Sequence, residues 1–436
     1  MKRLFPDYTY GPGPRQNCWW DQTISAPDWP ILAGDLNVDV AVVGSGFTGL
    51  SAALHLAEAG AKVAVLEAAT PGWGASGRNG GFCCLGGSKL SHGSMVRRFG
   101  IEATRSYEQA EADSVQLVAD LLEQHRIDAD THSNGETQLA HSARAMEKLR
   151  RKAEASGVLH EPGDLQGLGL GGAFHGAYTN PVGFALNPRK YLFGLASVAQ
   201  GLGAGLFQKS PVESIRKTPG GFDVETGSGH VRAKNVMICT NGYSSEDMPP
   251  WLSGRYMPTQ STVLVTRPLS DSELQAQGWT SEQMGYDTRN LLHYFRLMPD
   301  RRFLFGMRGG LRSSPRAEAA IRRAALHDFQ GMFPEWNDVD VTHMWSGMVC
   351  LSRKLTPYVG PVPDQPGMFA AFAYHGNGVA MGTYCGRAIA GLVLDKQSEL
   401  PVPIAQPPRR FPLGYWRRAL MPPSYAAMAI IDRLSL

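Results

Sequence analysis

The sequence predicts an α/β protein made of two interleaved domains. Three observations carry this. A strand, glycine loop, helix and second strand stand near the start of the chain. The same alternation of short apolar strands with helices returns in two later blocks. Between those blocks lie longer strands and charged helices. At 436 residues the chain is too long for one compact core and fits two domains.

The opening unit reads VDVAVVGSGFTGLSAALHLAEAGAKVAVLE and ends on Glu67 and Ala68. An apolar strand over 38–43 feeds Gly44, Ser45, Gly46, Phe47, Thr48 and Gly49, which open a helix. Gly44 suits the tight turn, Gly46 lets backbone approach a pyrophosphate, and Gly49 lets helix pack on strand. The helix N-terminus presents N–H groups and the positive end of its dipole to the phosphates. Glu67, at the end of the second strand, can accept hydrogen bonds from both ribose hydroxyls of an adenosine. Strand, loop, helix, strand and acid in this order make a dinucleotide site.

A second glycine-dense loop, GWGASGRNGG, occupies 72–81. A polar helix is expected over about 94–126, from the spacing of Leu117, Leu121 and Leu122. Residues 131–180 read as a strand (136–140), a helix (143–156) and glycine-rich loops. Asn187-Pro188 opens a helix to about 202. Strands follow at 205–208, 222–225 and 231–239, and the last delivers Thr240, Asn241 and Gly242. Longer strands and a charged helix (316–329) fill 244–343. From 344 to 394 a strand leads to His375, Gly376, Asn377 and Gly378, and a helix opens through Val379 and Ala380. A glycine turn opening a helix is an anion site.

The expected organisation is therefore an N-terminal arm (1–34) and a discontinuous dinucleotide-binding domain (35–92, 181–245 and 345–400). A substrate-binding domain (93–180 and 246–344) is inserted, and a C-terminal tail (401–436) packs on the body. A formal charge of +3, spread along the chain, argues neither for nucleic acid nor for an anionic membrane as a partner, and none is expected. Six cysteines without CxxC spacing or paired histidines exclude a metal site and a disulfide framework. They fit a reducing, cytoplasmic location. The first residues, MKRLFPDYTYGPGP, lack the apolar core of a signal peptide, and no run of about 18 apolar residues spans a membrane. The amphipathic last dozen residues are expected to dock on the body rather than on a membrane.

These residues alone leave a flavoenzyme, an NAD-dependent dehydrogenase or a non-catalytic nucleotide module open. Four further stretches narrow the choice: GASGRNGG (74–81), LLHYFRL (291–297), LSRKLTPYVG (351–360) and YHGNGV (374–379). With them the chain resembles the D-amino-acid oxidase superfamily of FAD-dependent oxidoreductases. Its glycine and sarcosine oxidase side is the nearer one, and within it the gamma-glutamylputrescine oxidoreductase branch. The resemblance implies an α/β fold: a Rossmann-like FAD-binding domain of glutathione-reductase-type topology, with an inserted α+β substrate domain on a mixed or antiparallel sheet.

It also implies roles. Gly44 to Gly49 would hold the FAD diphosphate, and Glu67 with Ala68 the ribose. Gly74, Ala75, Ser76, Arg78, Asn79, Gly80 and Gly81 would run beneath the pyrophosphate and along the flavin. Val212 would meet the adenine, Thr240, Asn241 and Gly242 would complete the cofactor site, and Gly376 to Ala380 would lie at the pyrimidine edge. His375, Tyr294, Arg296 and Trp345 are the catalytic candidates, with His293 beside them. Arg296, Arg308 or Arg312 would meet a distal anion on the substrate.

Three departures from the family pattern matter. His375 stands two places from the usual histidine, so it either reaches the flavin or fills space. Gly347 occupies the region where sarcosine oxidases tether flavin to a cysteine, with Cys350 three residues away, which predicts non-covalent FAD. Residues 303–312 lack the oxygen-activating lysine, leaving oxygen or another electron acceptor such as a quinone. The expected reaction is hydride transfer from the carbon of a gamma-glutamylated or free aliphatic amine, giving an imine that water hydrolyses. A desolvated aromatic pocket would keep the amine neutral. The alternative substrate is a secondary amine or amino acid such as sarcosine, glycine or proline.

Overall fold

The computed structural model describes residues 1–154, 156–396 and 400–434. The ends of two expected segments, 397–399 and 435–436, and residue 155 of an expected helix lie outside the described residues. Two eight-stranded sheets organise the chain.

In the first sheet Gly205–Phe207, Val63–Leu66, Gly34–Val43, Gly229–Ile238 and Met368–Phe372 run parallel in that spatial order. Tyr358–Pro361 closes one edge antiparallel. Val212–Thr218 and Gly221–Thr226 fold as a meander onto the first half of Gly229–Ile238. Val40, Val42, Val63 and Val65 bury one face of the sheet. The other face is carried by Ala41, Val43, Ala64 and Leu66. Burial on both faces explains why these strands read as continuous apolar runs rather than alternating ones.

Helices Phe47–Glu58, Pro188–Gly201 and Ala380–Val393 cover the first face. Asn187 caps the second, its side-chain oxygen accepting from the N–H groups of Arg189 and Lys190. The expected helix over 94–126 is two helices, His92–Phe99 and Ile101–Gln124, broken at Gly100 with φ +86°. Ile101–Gln124 buries Tyr107, Val118 and Leu121 in the core shared with Phe47–Glu58, so it packs on the nucleotide layer and not on the second sheet.

The second sheet has the order Val341–Ser352, Tyr256–Pro268, Arg302–Arg308, His293–Leu297, Met284–Asp287, Glu136–Leu139, Ala177–Asn180, Val158–His160. All neighbours are antiparallel except Met284–Asp287 with Glu136–Leu139. The strand Val341–Ser352 belongs here in full, so the sheets place a boundary after Ser352 rather than at 345. Phe295, Phe303 and Phe305 alternate onto one face and pack against Phe329, Phe333 and Trp336 of helix Pro315–Met332 and the turn after it. Each such buried aromatic stabilises the layer by roughly 1.5–3 kcal/mol. By the same period of two, Tyr294 and Gly306 face the opposite way, toward the first domain.

The C-terminal segment is tied down at Arg417, fully buried, whose Nη2 meets Glu246 Oε1 at 2.5 Å. Its last helix, Met421–Leu434, has no buried residue, and Asp432 accepts from the backbone N–H groups of Asn290 and Leu291. Among the described residues no helix is long and apolar enough to cross a membrane, and no cluster of three metal-ligating side chains occurs.

Candidate functional site

The parallel strands of the first sheet end at a cavity of about 600 Å³ that continues to the inner face of the second sheet. Gly44, with φ +102°, turns the chain out of its strand, and a Cβ on Gly49 would lie 1.9 Å from the Gly44 carbonyl oxygen. Only glycine permits that contact, so the helix N-terminus is fixed against the strand end. A Cβ on Gly46 would meet Ser76 Oγ at 2.9 Å, and that hydroxyl accepts from the Phe47 N–H at 3.0 Å. The close partner of Gly46 within the chain is thus the second glycine loop. Thr48 donates to Tyr374 OH at 2.8 Å, which ties this helix start to the turn at 375–378.

Glu67 is already partly engaged. Its Oε2 accepts from Ser45 N–H (3.2 Å) and Ser45 Oγ (2.7 Å), and its Oε1 accepts from Ala69 N–H (2.9 Å). With about two acceptor positions per oxygen, one on Oε1 is left for a ligand, not the two inferred from the sequence.

The loop 74–81 is held from behind. Asn79 closes it on itself, its amide donating to the Ala75 and Ser76 carbonyls and its oxygen accepting from Gly81 N–H. Trp345 Nε1 donates to the Arg78 carbonyl at 2.7 Å, and Trp20 Nε1 to that of Asn79 at 2.8 Å. Arg78, 2% exposed, lies over the Trp73 ring and donates to the Trp73 and Ser346 carbonyls. Burial lowers its pKa.

Gly44 to Thr48, Glu67, Ala68, Gly74, Ala75, Ser76, Arg78, Asn79, Gly80, Val212, Thr240, Asn241 and Gly376 to Val379 all line this one cavity. Gly49, Gly81, Gly242 and Ala380 stand behind it as packing positions. Of the catalytic candidates, Tyr294 and His375 line the cavity. The Tyr294 ring lies so close to Gly80 and Gly306 that a Cβ on either would come within 2.6 Å of it, and its hydroxyl is 3.1 Å from Ser261 Oγ.

Apart from Tyr294, the candidates are corrected by their surroundings. His375 is fully buried, with Nδ1 2.9 Å from the Gly87 carbonyl and Nε2 accepting from Ser352 N–H. Both ring nitrogens are used, and desolvation pushes its pKa down to about 3, so it pins two segments together at the cavity wall. Trp345 anchors the glycine loop from outside the cavity. Arg296 is also outside it, donating to the Leu186 carbonyl and meeting His132 Nε2 at 2.8 Å, with its pKa lowered to about 9 by burial. His293 sits between Asp287 and Asp328; they overcome the lowering effect of desolvation and raise it to about 9. Arg312 is not on the cavity wall, whereas Arg308 is.

Several wall residues escaped the sequence reading: Arg3 and Tyr10 from the N-terminal arm, and Lys89, Glu136, Tyr286 and Leu292 toward the second sheet. A charged residue at an inward strand position, as in Gly135-Glu136-Thr137, was the available signal for one of them.

These features describe a dinucleotide-binding fold with a second, mostly antiparallel sheet on the same cavity. The match of the model for the family described as FAD dependent oxidoreductase (DAO), over residues 39–392, makes the assignment specific: the chain belongs to that family. It is 31% identical over 395 residues to "Probable oxidoreductase OrdL" of Rhizobium meliloti (strain 1021), covering 88% of this chain and 89% of that one. It is 29% identical over 371 residues to the gamma-glutamylputrescine oxidoreductase of Escherichia coli (strain K12), covering 83% and 85%. Among solved structures it superposes on glycine oxidase from Geobacillus kaustophilus with a TM-score of 0.71 at 22% identity, covering 85% and 98%. The cofactor of the family is FAD, and the cavity fits it. Arg3 Nε, Tyr10 OH, Arg78 Nη2 and Tyr243 OH are buried along the wall with no hydrogen-bond partner among the described residues. Neither helix N-terminus has a side-chain cap from its N-cap residue. Such groups suit an anionic, acceptor-rich ligand.

Proposed function

We propose that the protein oxidises the carbon–nitrogen bond of a gamma-glutamylated or free aliphatic amine. The observation that carries this is the wall where the cavity leaves the glycine loops: Tyr286, Leu292 and Tyr294 give it an aromatic, largely apolar lining. When bound, FAD supplies the two-electron acceptor for the hydrogen on the amine-bearing carbon. The chain does the rest. Gly44 to Thr48 with Ser76 would receive the diphosphate, Glu67 one ribose hydroxyl, and Arg78 with Tyr243 the middle of the cofactor. The helix N-terminus after Gly376 to Val379 would favour negative charge at the flavin's pyrimidine edge. Tyr286, Leu292 and Tyr294 would exclude water and hold the amine neutral. The resulting imine is hydrolysed to an aldehyde and ammonia or an amine, and the electrons pass to oxygen or another acceptor.

The first sheet would hold cofactor and the second substrate. FAD would be held without a covalent bond. On the strand Val341–Ser352 both Gly347 and Cys350 border the cavity; Gly347 lies against Arg78, while Cys350 is buried and packs into the core, and burial pushes its pKa up to about 12. A thiol so held is a poor nucleophile. Six buried, unpaired cysteines support a cytoplasmic setting.

The rival reading, a secondary amine or amino acid such as sarcosine, glycine or proline, would place its own carboxylate against Lys89 or Arg308 on the same wall. Comparing kcat/KM for gamma-glutamylputrescine, butylamine, sarcosine, glycine and proline tests the choice. A preference for the first two is expected, and turnover of sarcosine, glycine or proline alone would overturn it. Acid denaturation should release all the yellow flavin; colour retained on the polypeptide would contradict non-covalent binding.

A further inference from the structure

One group of side chains on the cavity wall is charged and uncommitted. Glu136, in the strand Glu136–Leu139, is 7% exposed; among the described residues its carboxyl makes no ion pair and no hydrogen bond beyond the Cys84 thiol beside it, and the charges of Lys152 and Lys89 both act on it. Burial pushes its pKa up to about 7. Lys89 opens into the same cavity from the loop after Phe82–Cys84. It feels the charges of Arg308 and Glu136, and desolvation brings its pKa down to about 8. Arg308 has neither a hydrogen bond nor an ion pair with any described residue. Its guanidinium stands 3.9 Å from where a Cβ on Gly376 would lie. The buried Glu136, the half-buried Arg308 and the exposed Lys89 thus share one wall next to the aromatic side chains of Tyr286 and Tyr294.

A buried carboxylate such as Glu136 is costly without a partner, and a ligand bearing both signs would satisfy it and draw on the two cations together. We infer that Glu136, Lys89 and Arg308 bind the non-reacting end of the substrate, an α-amino carboxylate: the ammonium lies on Glu136 and the carboxylate on Lys89 and Arg308. This rests on the amine-oxidation reading above and deepens it. Physical chemistry also decides which nitrogen Glu136 meets. A carboxylate beside the reacting amine would hold it protonated, which opposes loss of hydride from its carbon, so the carboxylate is useful only to a second, spectator ammonium. A simple amino acid has no such second nitrogen. An amide of glutamate's side-chain carboxyl with a diamine has one.

The test is rapid-mixing flavin reduction of the FAD-loaded enzyme without oxygen, using gamma-glutamylputrescine, glutaryl-putrescine (no ammonium), gamma-aminobutyryl-putrescine (no carboxylate) and butylamine. On wild-type enzyme each analogue lacking one charge should raise the Kd roughly 10- to 100-fold, the effect of one charge-assisted hydrogen bond, while the limiting rate of reduction stays within about threefold. Glu136→Gln should raise the Kd for gamma-glutamylputrescine by the same factor and leave that for glutaryl-putrescine unchanged. Lys89→Met should do the same for the carboxylate, sparing gamma-aminobutyryl-putrescine. The wild-type analogue series stands even where a variant folds poorly. A fall in limiting rate with unchanged Kd in Glu136→Gln would overturn the inference, because Glu136 would then act on the reacting amine. Equal Kd for butylamine and gamma-glutamylputrescine would overturn it too, leaving amine oxidation intact. No reduction by any of the four amines would overturn both.

Discussion

Removing the Glu67 carboxylate tests how the dinucleotide end of the cavity works. Three of its acceptor positions serve the chain itself, at Ser45 N–H, Ser45 Oγ and Ala69 N–H, and one remains on Oε1. Glu67→Ala therefore removes one charge-assisted hydrogen bond to the cofactor, worth about 1.5–3 kcal/mol, or roughly a 10- to 150-fold rise in the FAD Kd. It also leaves Ser45 and Ala69 donors unpaired beside Gly44, which loosens the turn. Glu67→Gln retains an acceptor on one side only and should fall between the two. The assay is titration of apoprotein with FAD, followed by the quenching of flavin fluorescence, with thermal unfolding of the apoprotein run in parallel. An FAD Kd within twofold of wild type for Glu67→Ala would refute the placement of the ribose at this carboxylate.

Other perturbations separate packing from chemistry. Arg296→Met should lower stability and flavin content, through lost contacts to Leu186 and His132, while leaving KM for the amine within about twofold; a large rise in KM alone would return Arg296 to the substrate pocket. His375 should not appear in the pH profile of kcat/KM. Its folded pKa, about 3, lies below the unfolded value near 6.5. The unfolded state therefore binds the proton first, and stability is lost as pH falls from about 6.5 toward 3, by up to about 1.4 kcal/mol per pH unit. Urea unfolding at a series of pH values should show this slope diminished in His375→Asn, and an unchanged slope would contradict the assignment. Arg417→Ala strips one partner from a buried ion pair and should destabilise by about 3–5 kcal/mol, read as a lowered Tm; an unchanged Tm would mean that the C-terminal segment is not fastened to the body there.

The part of the cavity proposed for the cofactor was legible because its geometry is carried by backbone and by sequence-local motifs. Gly44, Gly49 and Glu67 lie within one strand–helix–strand unit, and each has a steric or acceptor role that its spacing reveals. The part proposed for the substrate was less legible. Arg296 and Trp345 have the residue types of a pocket, yet the alternation of a strand decides which side a side chain faces, and the strand's neighbours decide what lies there. Arg296 shares its face with Tyr294, but Leu186 and the loop at Gly81 stand in front of it. His375 follows the same logic: its position is that of a functional turn, while its two nitrogens are claimed by Gly87 and Ser352, far apart in sequence. Lys89 and Glu136 went unnoticed because they meet only when the loop after one small strand reaches the second sheet. The break at Gly100 was visible as a glycine, but the polar periodicity on both sides of it read as one helix.

The central claim, that this cavity holds FAD and delivers an amine to it, is tested most directly by mixing the yellow holoenzyme with gamma-glutamylputrescine in the absence of oxygen. One equivalent of substrate should bleach the visible flavin band, and quenching should yield one equivalent of aldehyde together with the released ammonia or amine. Flavin that stays oxidised in the presence of excess gamma-glutamylputrescine and butylamine would contradict the account.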